Sequence, residues 1–135
     1  MQQYVVGFVF DHNRQRVLLV RKNRPAFQAG LLNGVGGKVE SHESSRTAMA
    51  RECVEECDLV IDDWHHVASV CARDYQIDVY SAVCDLSGAR TVTDETVEIH
   101  SVHDVFRLPG LNNLAMLIAI ARDTSNCHKP IWIYE

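Results

Sequence analysis

At 135 residues the chain is long enough to bury one core and too short for two ordinary domains, so residues 1–135 are read as a single domain. A formal net charge of −5 disfavours nonspecific binding to nucleic acid or to an anionic membrane. No apolar run approaches the ~20 residues that span a bilayer, and Met1-Gln2-Gln3 carries no basic leader region, so no signal peptide is expected. The five cysteines, Cys53, Cys57, Cys71, Cys84 and Cys127, show neither a C-x-x-C pair nor zinc spacing, which fits a reducing cytoplasm.

Tyr4 to Phe10 is rich in β-branched and aromatic residues and reads as a strand. Asp11-His12-Asn13 reads as a turn into a second strand, Arg16 to Arg21, making a hairpin. Asn23 to Gly30 is a loop punctuated by Pro25 and Gly30, and Leu31 to Val39 is a short strand entering the Gly34/Gly36/Gly37 turn. Ser44 is a good N-cap for a helix running to about Cys57. On it Ala50, Val54 and Cys57 should face the core with Cys53 beside them, leaving the glutamates on the solvent side. Cys53 and Cys57, one helical turn apart, read as small buried apolar residues.

Trp64 to Cys71 and Ile77 to Cys84 read as two strands joined by residues 72–76. His65 and His66 are adjacent and point to opposite faces of such a strand, which makes them a poor metal pair. Residues 86–94 form a loop and Val97 to Val102 another strand. Leu108-Pro109-Gly110 breaks the chain before a strongly apolar helix from Asn112 to Arg122. The tail from Asp123 is polar apart from Ile131-Trp132-Ile133-Tyr134, an edge strand or a docked end. Strands mixed with two helices predict an α/β fold, a sheet sandwiched by helices.

The most informative segment is Gly37 to Glu43 followed by Arg51-Glu52-Cys53-Val54-Glu55-Glu56. Glu52, Glu55 and Glu56 are related by i,i+3 and i,i+4 steps and share one helix face, where like charges repel. The compensating partner expected for such a cluster is a hard divalent cation such as Mg2+, which takes carboxylate oxygens together with substrate phosphates. That chemistry points to metal-assisted attack on a phosphate ester or anhydride. Arg51 lies four residues before Glu55 and is expected to pair with it.

The pattern resembles the Nudix box, G-x5-E-x7-R-E-U-x-E-E-x-G-U, where U is a bulky apolar residue. Gly37, Glu43, Arg51, Glu52, Glu55, Glu56 and Leu59 match, Cys53 stands at the first apolar position, and Asp58 replaces the second glycine. That glycine ends the helix in a left-handed conformation, which Asp tolerates. The resemblance implies the Nudix fold, an α/β/α sandwich with a mixed β-sheet. It also implies hydrolysis of a nucleotide phosphoanhydride with Mg2+ as cofactor, Mn2+ being a substitute. Glu52, Glu55 and Glu56 would be the metal carboxylates, with the Gly36 carbonyl completing the site. Arg51, Glu55 and Glu56 carry the catalytic assignments, and Glu43 would brace the loop–helix junction. Members of the family often recruit a further carboxylate from outside the box. Among Asp94, Glu95 and Glu98 the favoured one is Glu95.

Residues 16–39 resemble the sanitising oxidised-purine nucleoside triphosphatases, in which the positions of Phe27 and Asn33 contact the base. A ring that stacks and an amide that both donates and accepts suit a purine. Asn113 either caps the last helix or reads the purine, as an asparagine does in bacterial MutT-type enzymes. Arg21, Lys22, Arg24 and Lys38 bracket the box and are candidates for the non-reacting phosphates. Since Arg21 and Lys22 alternate on a strand, at most one of them faces the site. The tryptophan-and-acid cluster of the mammalian-type enzymes is absent.

The expected activity is release of a monophosphate and pyrophosphate from a nucleoside triphosphate by a cytoplasmic monomer or homodimer without nucleic-acid polymer or membrane partners. Two alternatives stay open: hydrolysis of a nucleoside diphosphate linked to another group, such as ADP-ribose or a dinucleotide, and a nucleotide-sensing module without turnover.

Overall fold

The computed structural model describes residues 1–123 and 129–135. Cys127 and most of the polar stretch between the last helix and residue 129 lie outside these. Eight strands form one mixed sheet. They are β1 (Gln2–Phe10), β2 (Arg16–Arg21), β3 (Leu32–Asn33), β4 (Val35–Lys38), β5 (His65–Cys71), β6 (Tyr75–Val83), β7 (Thr96–Ser101) and β8 (Ile131–Tyr134). The spatial order is β3-β2-β1-β6-β5-β8, with β4 also paired to β1 and β7 to β2. β1 runs parallel to β6 through its whole length, and β5 runs parallel to β8. The remaining pairs are antiparallel.

From Tyr4 to Phe10 β1 is an uninterrupted apolar run because both of its faces are covered there. Val5 and Val9 point into one core, with Leu18, Met49, Cys53 and Trp64. Val6, Phe8 and Phe10 point into the other, with Leu19, Leu117 and Ile118. The first core is roofed by helix α1 (Ser45–Cys57) and the second by helix α2 (Leu114–Arg122). The architecture is therefore the predicted α/β/α sandwich. Among the described residues no helix is long and apolar enough to cross a membrane.

Four local expectations are corrected. The predicted strand from Leu31 to Val39 is two strands, since β3 pairs with β2 and β4 with β1, the chain changing partner at Gly34. The stripe of α1 that reaches the core is Ala48, Met49, Cys53 and Cys57, whereas Val54 is exposed and Ala50 is only partly buried. Helical periodicity alone admits either stripe, because α1 is apolar on more than one line. The third correction follows from the second: Glu52 and Glu56 are half-buried at the helix–sheet margin and only Glu55 is exposed. Finally, the second helix begins at Leu114, and Asn113 occupies its N-cap position in a left-handed conformation (φ 69°) but makes no capping hydrogen bond with its side chain. The Asn113 amide instead donates to Glu135 at 3.2 Å.

Other expectations hold. Ser44 caps α1, its hydroxyl accepting the Thr47 amide at 3.1 Å. Asp58 ends the helix at φ 60°, the left-handed conformation expected there, and pairs with Arg90 at 2.8 Å. The segment Ile131–Tyr134 is an edge strand, β8. His65 and His66 do not act together: His65 is exposed, while His66 Nε2 lies 2.8 Å from the Ser69 hydroxyl.

Candidate active site

α1 lies across β4, so the helical carboxylates meet the glycines of the preceding strand. A side chain at Gly37 would place its Cβ 2.4 Å from Glu52 Oε1, and one at Gly36 would fall 2.0 Å from the Val5 carbonyl oxygen. Glycine at these two positions allows the backbone, sheet and carboxylate to approach as they do. Gly37→Ala meets only the end of a flexible side chain, so the fold should survive while Glu52 is displaced. If Glu52 helps hold a divalent cation, the expected result is a roughly 10–100-fold weaker affinity for Mg2+, with an unchanged circular dichroism spectrum.

Arg51 is the hub of the cluster. Its Nη2 and Nε donate to Glu43 at 2.6 and 3.1 Å, and its Nη1 donates to Glu52 at 3.0 Å and to Glu55 at 3.2 Å. Nη2 also reaches the Lys38 carbonyl at 3.0 Å. Glu43 in turn accepts the Glu40 amide at 2.9 Å, which folds the loop back onto the helix. Hydrogen bonds from Arg51, and then from the Glu40 amide, hold the Glu43 carboxyl down at about 2. The expected Arg51–Glu55 pair is present, but the closer partner is Glu43, eight residues away. Glu43 precedes the helix, so no helical spacing could have announced that pair.

Glu52 and Glu56 behave differently. Burial raises the Glu52 carboxyl, with Arg51 opposing. Burial, and then repulsion from Glu52, push Glu56 up to about 8, against the opposing pull of Lys22 and the Gly36 amide. Burial without full compensation destabilises an anion. Glu56 is thus a carboxylate whose surroundings favour a proton or a cation. Among the described residues no three His, Cys, Asp or Glu side chains form a ready metal cage. Mg2+ requires none, since it keeps several waters and takes one or two carboxylates. Two half-buried, mutually repelling carboxylates fit that demand.

Across from Glu56 the segment 22–24 is stitched to Glu95. The Lys22 ammonium donates to Glu95 Oε1 at 3.1 Å and the Asn23 amide to Oε2 at 2.6 Å. Burial works against the Glu95 anion, but the Asn23 amide and Lys22 outweigh it and lower its pKa. Glu95 is therefore the anchor of this loop, close enough to be felt by Glu56. The alternation of β2 is resolved: Lys22 lies on the α1 face, while Arg21 pairs with Glu98 and the Gly30 carbonyl. Arg24 pairs with Asp94.

The four substrate candidates do not converge in the same way. Phe27 sits on a short 3-10 turn and is 81% exposed. Asn33 is half-buried on β3, and Lys38 is exposed at the end of β4 with its carbonyl taken by Arg51. The loop before Asn113 is tied to β3 by Leu32 N–H to the Pro109 carbonyl and Leu111 N–H to the Leu32 carbonyl. The structure therefore does not bring the four together: Asn33 lies on β3 opposite Val20, Asn113 leads into α2 with its amide on Glu135, and Lys38 lies apart beside Arg51. Two cavities, one beside Val67, Ile120 and Ile131 and one beside Arg14 and Arg122, are lined by none of them.

The comparisons agree with this geometry. An oxidized purine nucleoside triphosphate hydrolase of Danio rerio is 44% identical over 55 residues, 41% of this chain. The match spans 35% of that protein, so the chain aligns with only about a third of the relative's length. Among solved structures, a MutT from work on Aliivibrio salmonicida and Vibrio cholerae superposes at TM-score 0.77 with 19% identity, covering 87% of this chain and 97% of that one. The NUDIX domain of Shewanella oneidensis NrtR, complexed with ADP ribose, superposes at 0.77 with 22% identity, covering 89% and 85%. These two likenesses are of fold. The NUDIX domain model matches residues 1–119, nearly the whole sandwich and the entire carboxylate–arginine cluster, and the chain belongs to the Nudix family.

Proposed function

We propose that the chain is a Mg2+-dependent pyrophosphohydrolase that cleaves a nucleoside triphosphate to monophosphate and pyrophosphate, a modified purine being the base to test first. The observation that carries this reading is the half-buried Glu52–Glu56 pair, held between Arg51 on one side and Lys22 on the other. The partial match to oxidized-purine hydrolases supports the substrate class.

In this reading Glu52, Glu55 and Glu56, with the backbone at Gly36, hold the cation. When bound, the cation neutralises phosphate charge and acidifies water. The chain's own residues do the rest. Arg51 fixes Glu52 and Glu55 against β4 and Glu43, so that little reorganisation accompanies the reaction. Lys22, immobilised by Glu95, presents a positive charge to the phosphates beside Glu56. Glu55, the exposed member of the set, accepts the proton of the attacking water. Phe27 and Asn33 would take the base, Phe27 folding onto it from its exposed position, with Lys38 and Asn113 at the margins.

A second reading has its own support. The NrtR domain of like fold is complexed with ADP ribose. A nucleotide-binding module, or a hydrolase of a nucleoside diphosphate linked to another group, would share the cation cluster. A Mg2+-dependent screen across nucleoside triphosphates, oxidised purines included, ADP-ribose and dinucleotide polyphosphates separates the three. Pyrophosphate plus monophosphate from one triphosphate is the expected result. Two monophosphates from ADP-ribose would keep the cluster and overturn the substrate. Binding without turnover across the panel would favour the sensing module.

A further inference from the structure

Among the described residues the sheet order ends at β8, with no strand beside its outer edge. The segment is short and strongly apolar, and Ile131, Trp132 and Tyr134 are 41%, 51% and 77% exposed. Exposed strand edges of this kind are templates for pairing unless they are covered or blunted. The direction of the free hydrogen-bonding groups follows from the inner side. The Glu135 amide donates to the Cys71 carbonyl at 3.0 Å, toward β5. Strand alternation then turns the amides of Ile131 and Ile133 inward, and those of Trp132 and Tyr134 outward.

We infer that β8 pairs antiparallel with β8 of a second copy of this chain, about a two-fold axis at Trp132. That register matches every position with a suitable partner. The two Trp132 residues exchange a pair of backbone hydrogen bonds, and each Tyr134 amide donates to the Pro130 carbonyl of the second copy. Pro130 has no amide to give, so the ladder stops there on both sides. The two tryptophans stand side by side on one face, a favoured cross-strand aromatic pair. On the other face, the one next to Ala68 and Val70, Ile131 of one copy meets Ile133 of the other. A cavity of about 200 Å3, walled in part by Val67, Ala119, Ile120 and Ile131, lies beside Ile131. At the ends exposed Lys129 comes opposite Glu135, opposite charges in both halves of the contact. Glu135 is already held in place by the Tyr75 hydroxyl at 3.0 Å and the Asn113 amide at 3.2 Å. Any other register that keeps the outward amides paired loses the Trp132 pair or sets like charges together.

A two-fold contact is closed, so this edge is consumed by one partner and does not propagate into a fibre. It is also small. A four-residue strand per side buries less than the ~1,200 Å2 at the low end of standard interfaces, so the dimer is weak and concentration-dependent.

The test is sedimentation equilibrium of the full chain from micromolar to millimolar concentration, with three variants. Wild-type protein should shift from monomer toward dimer over that range. Trp132→Lys, which sets two ammonium groups against each other across the axis, should remain monomeric with an unchanged thermal midpoint. Trp132→Cys should cross-link with diamide, two thiols giving up two electrons and two protons to form one disulfide across the axis. A hydrogen-bonded antiparallel pair has Cα atoms about 5.5 Å apart, within disulfide range. Tyr134→Cys should cross-link no more than wild type, because its two copies would lie roughly 13 Å apart along the strands. A monomer at every concentration would overturn the inference. So would a dimer that survives Trp132→Lys, or equal cross-linking of the Trp132→Cys and Tyr134→Cys proteins.

Discussion

Glu56→Gln should lower Mg2+-dependent hydrolysis by roughly 10²–10⁴-fold, the scale of several kcal/mol of lost charge stabilisation, while the protein stays folded. The argument is one of shape against charge. Glutamine has nearly the same volume, so the half-buried site beside Gly36 and Glu52 is refilled without a cavity. What is removed is an anion that burial and Glu52 already disfavour in the absence of a cation. The metal-free variant should therefore melt no lower than wild type at pH 8, and Mg2+ should no longer raise its midpoint. Activity within a few-fold of wild type would sink the assignment of Glu56 to the cation. Loss of the folded state would make it a structural residue. Glu55→Gln is a useful companion, since Glu55 is exposed and contributes to stability through its single pair with Arg51. It should lose activity with little change in the melt.

The second large effect is a linkage of pH, cation and stability. Glu56 titrates at about 8 in the folded chain, above its ordinary 4.5, because burial first and Glu52 second penalise its charge. Between those two values the folded state holds a proton that the unfolded state has released. Stability of the metal-free protein should then fall as pH rises from about 5 to 8, by an amount of the order of a few kcal/mol. Glu52, also raised by burial, contributes in the same direction. Glu43 has the opposite sign. Arg51 holds it near 2, so its contribution is intact above 4.5 and is lost as pH falls toward 2. The melting temperature of metal-free protein should therefore peak near pH 5, and saturating Mg2+ should restore most of the loss at pH 8. Subtracting the Glu56→Gln profile isolates the effect. A wild-type profile that is flat or rising between pH 5 and 8, with or without Mg2+, would contradict it.

The local reading succeeded where chemistry is written in short-range pattern. β1, β2 and α1 begin or end within a few residues of their expected places because β-branched runs, turn residues and the Ser44 cap act over one or two turns. The box was legible because its charges are crowded at helical spacing, and crowding of like charge is costly in any fold. Asp58 in the left-handed position was likewise predictable from one residue's conformational tolerance.

Four things were decided only by the tertiary structure. Which stripe of α1 enters the core depends on how the helix is seated on β1 and β4, and that choice left Val54 outside and drew Glu52 and Glu56 to the margin. Glu56 is raised by its burial at the helix–sheet margin and then by Glu52 one helical turn away, and Glu95 is lowered by Asn23 and Lys22 more than 70 residues away in sequence; the burial and the long-range contact are invisible to any local window. Arg51 chose Glu43 over Glu55 as its tightest partner because a loop folded back, not because of helix geometry. The exposed Ile131–Tyr134 edge exists because β8 lies last in the sheet order. The sequence by itself determined most of the elements and the charges available for chemistry, since those follow from local sterics and periodicity, and the motif those charges form carried the resemblance to the family. The burial that tunes each charge, and the edge left open for a partner, were settled by long-range packing of strands whose order no local pattern specifies.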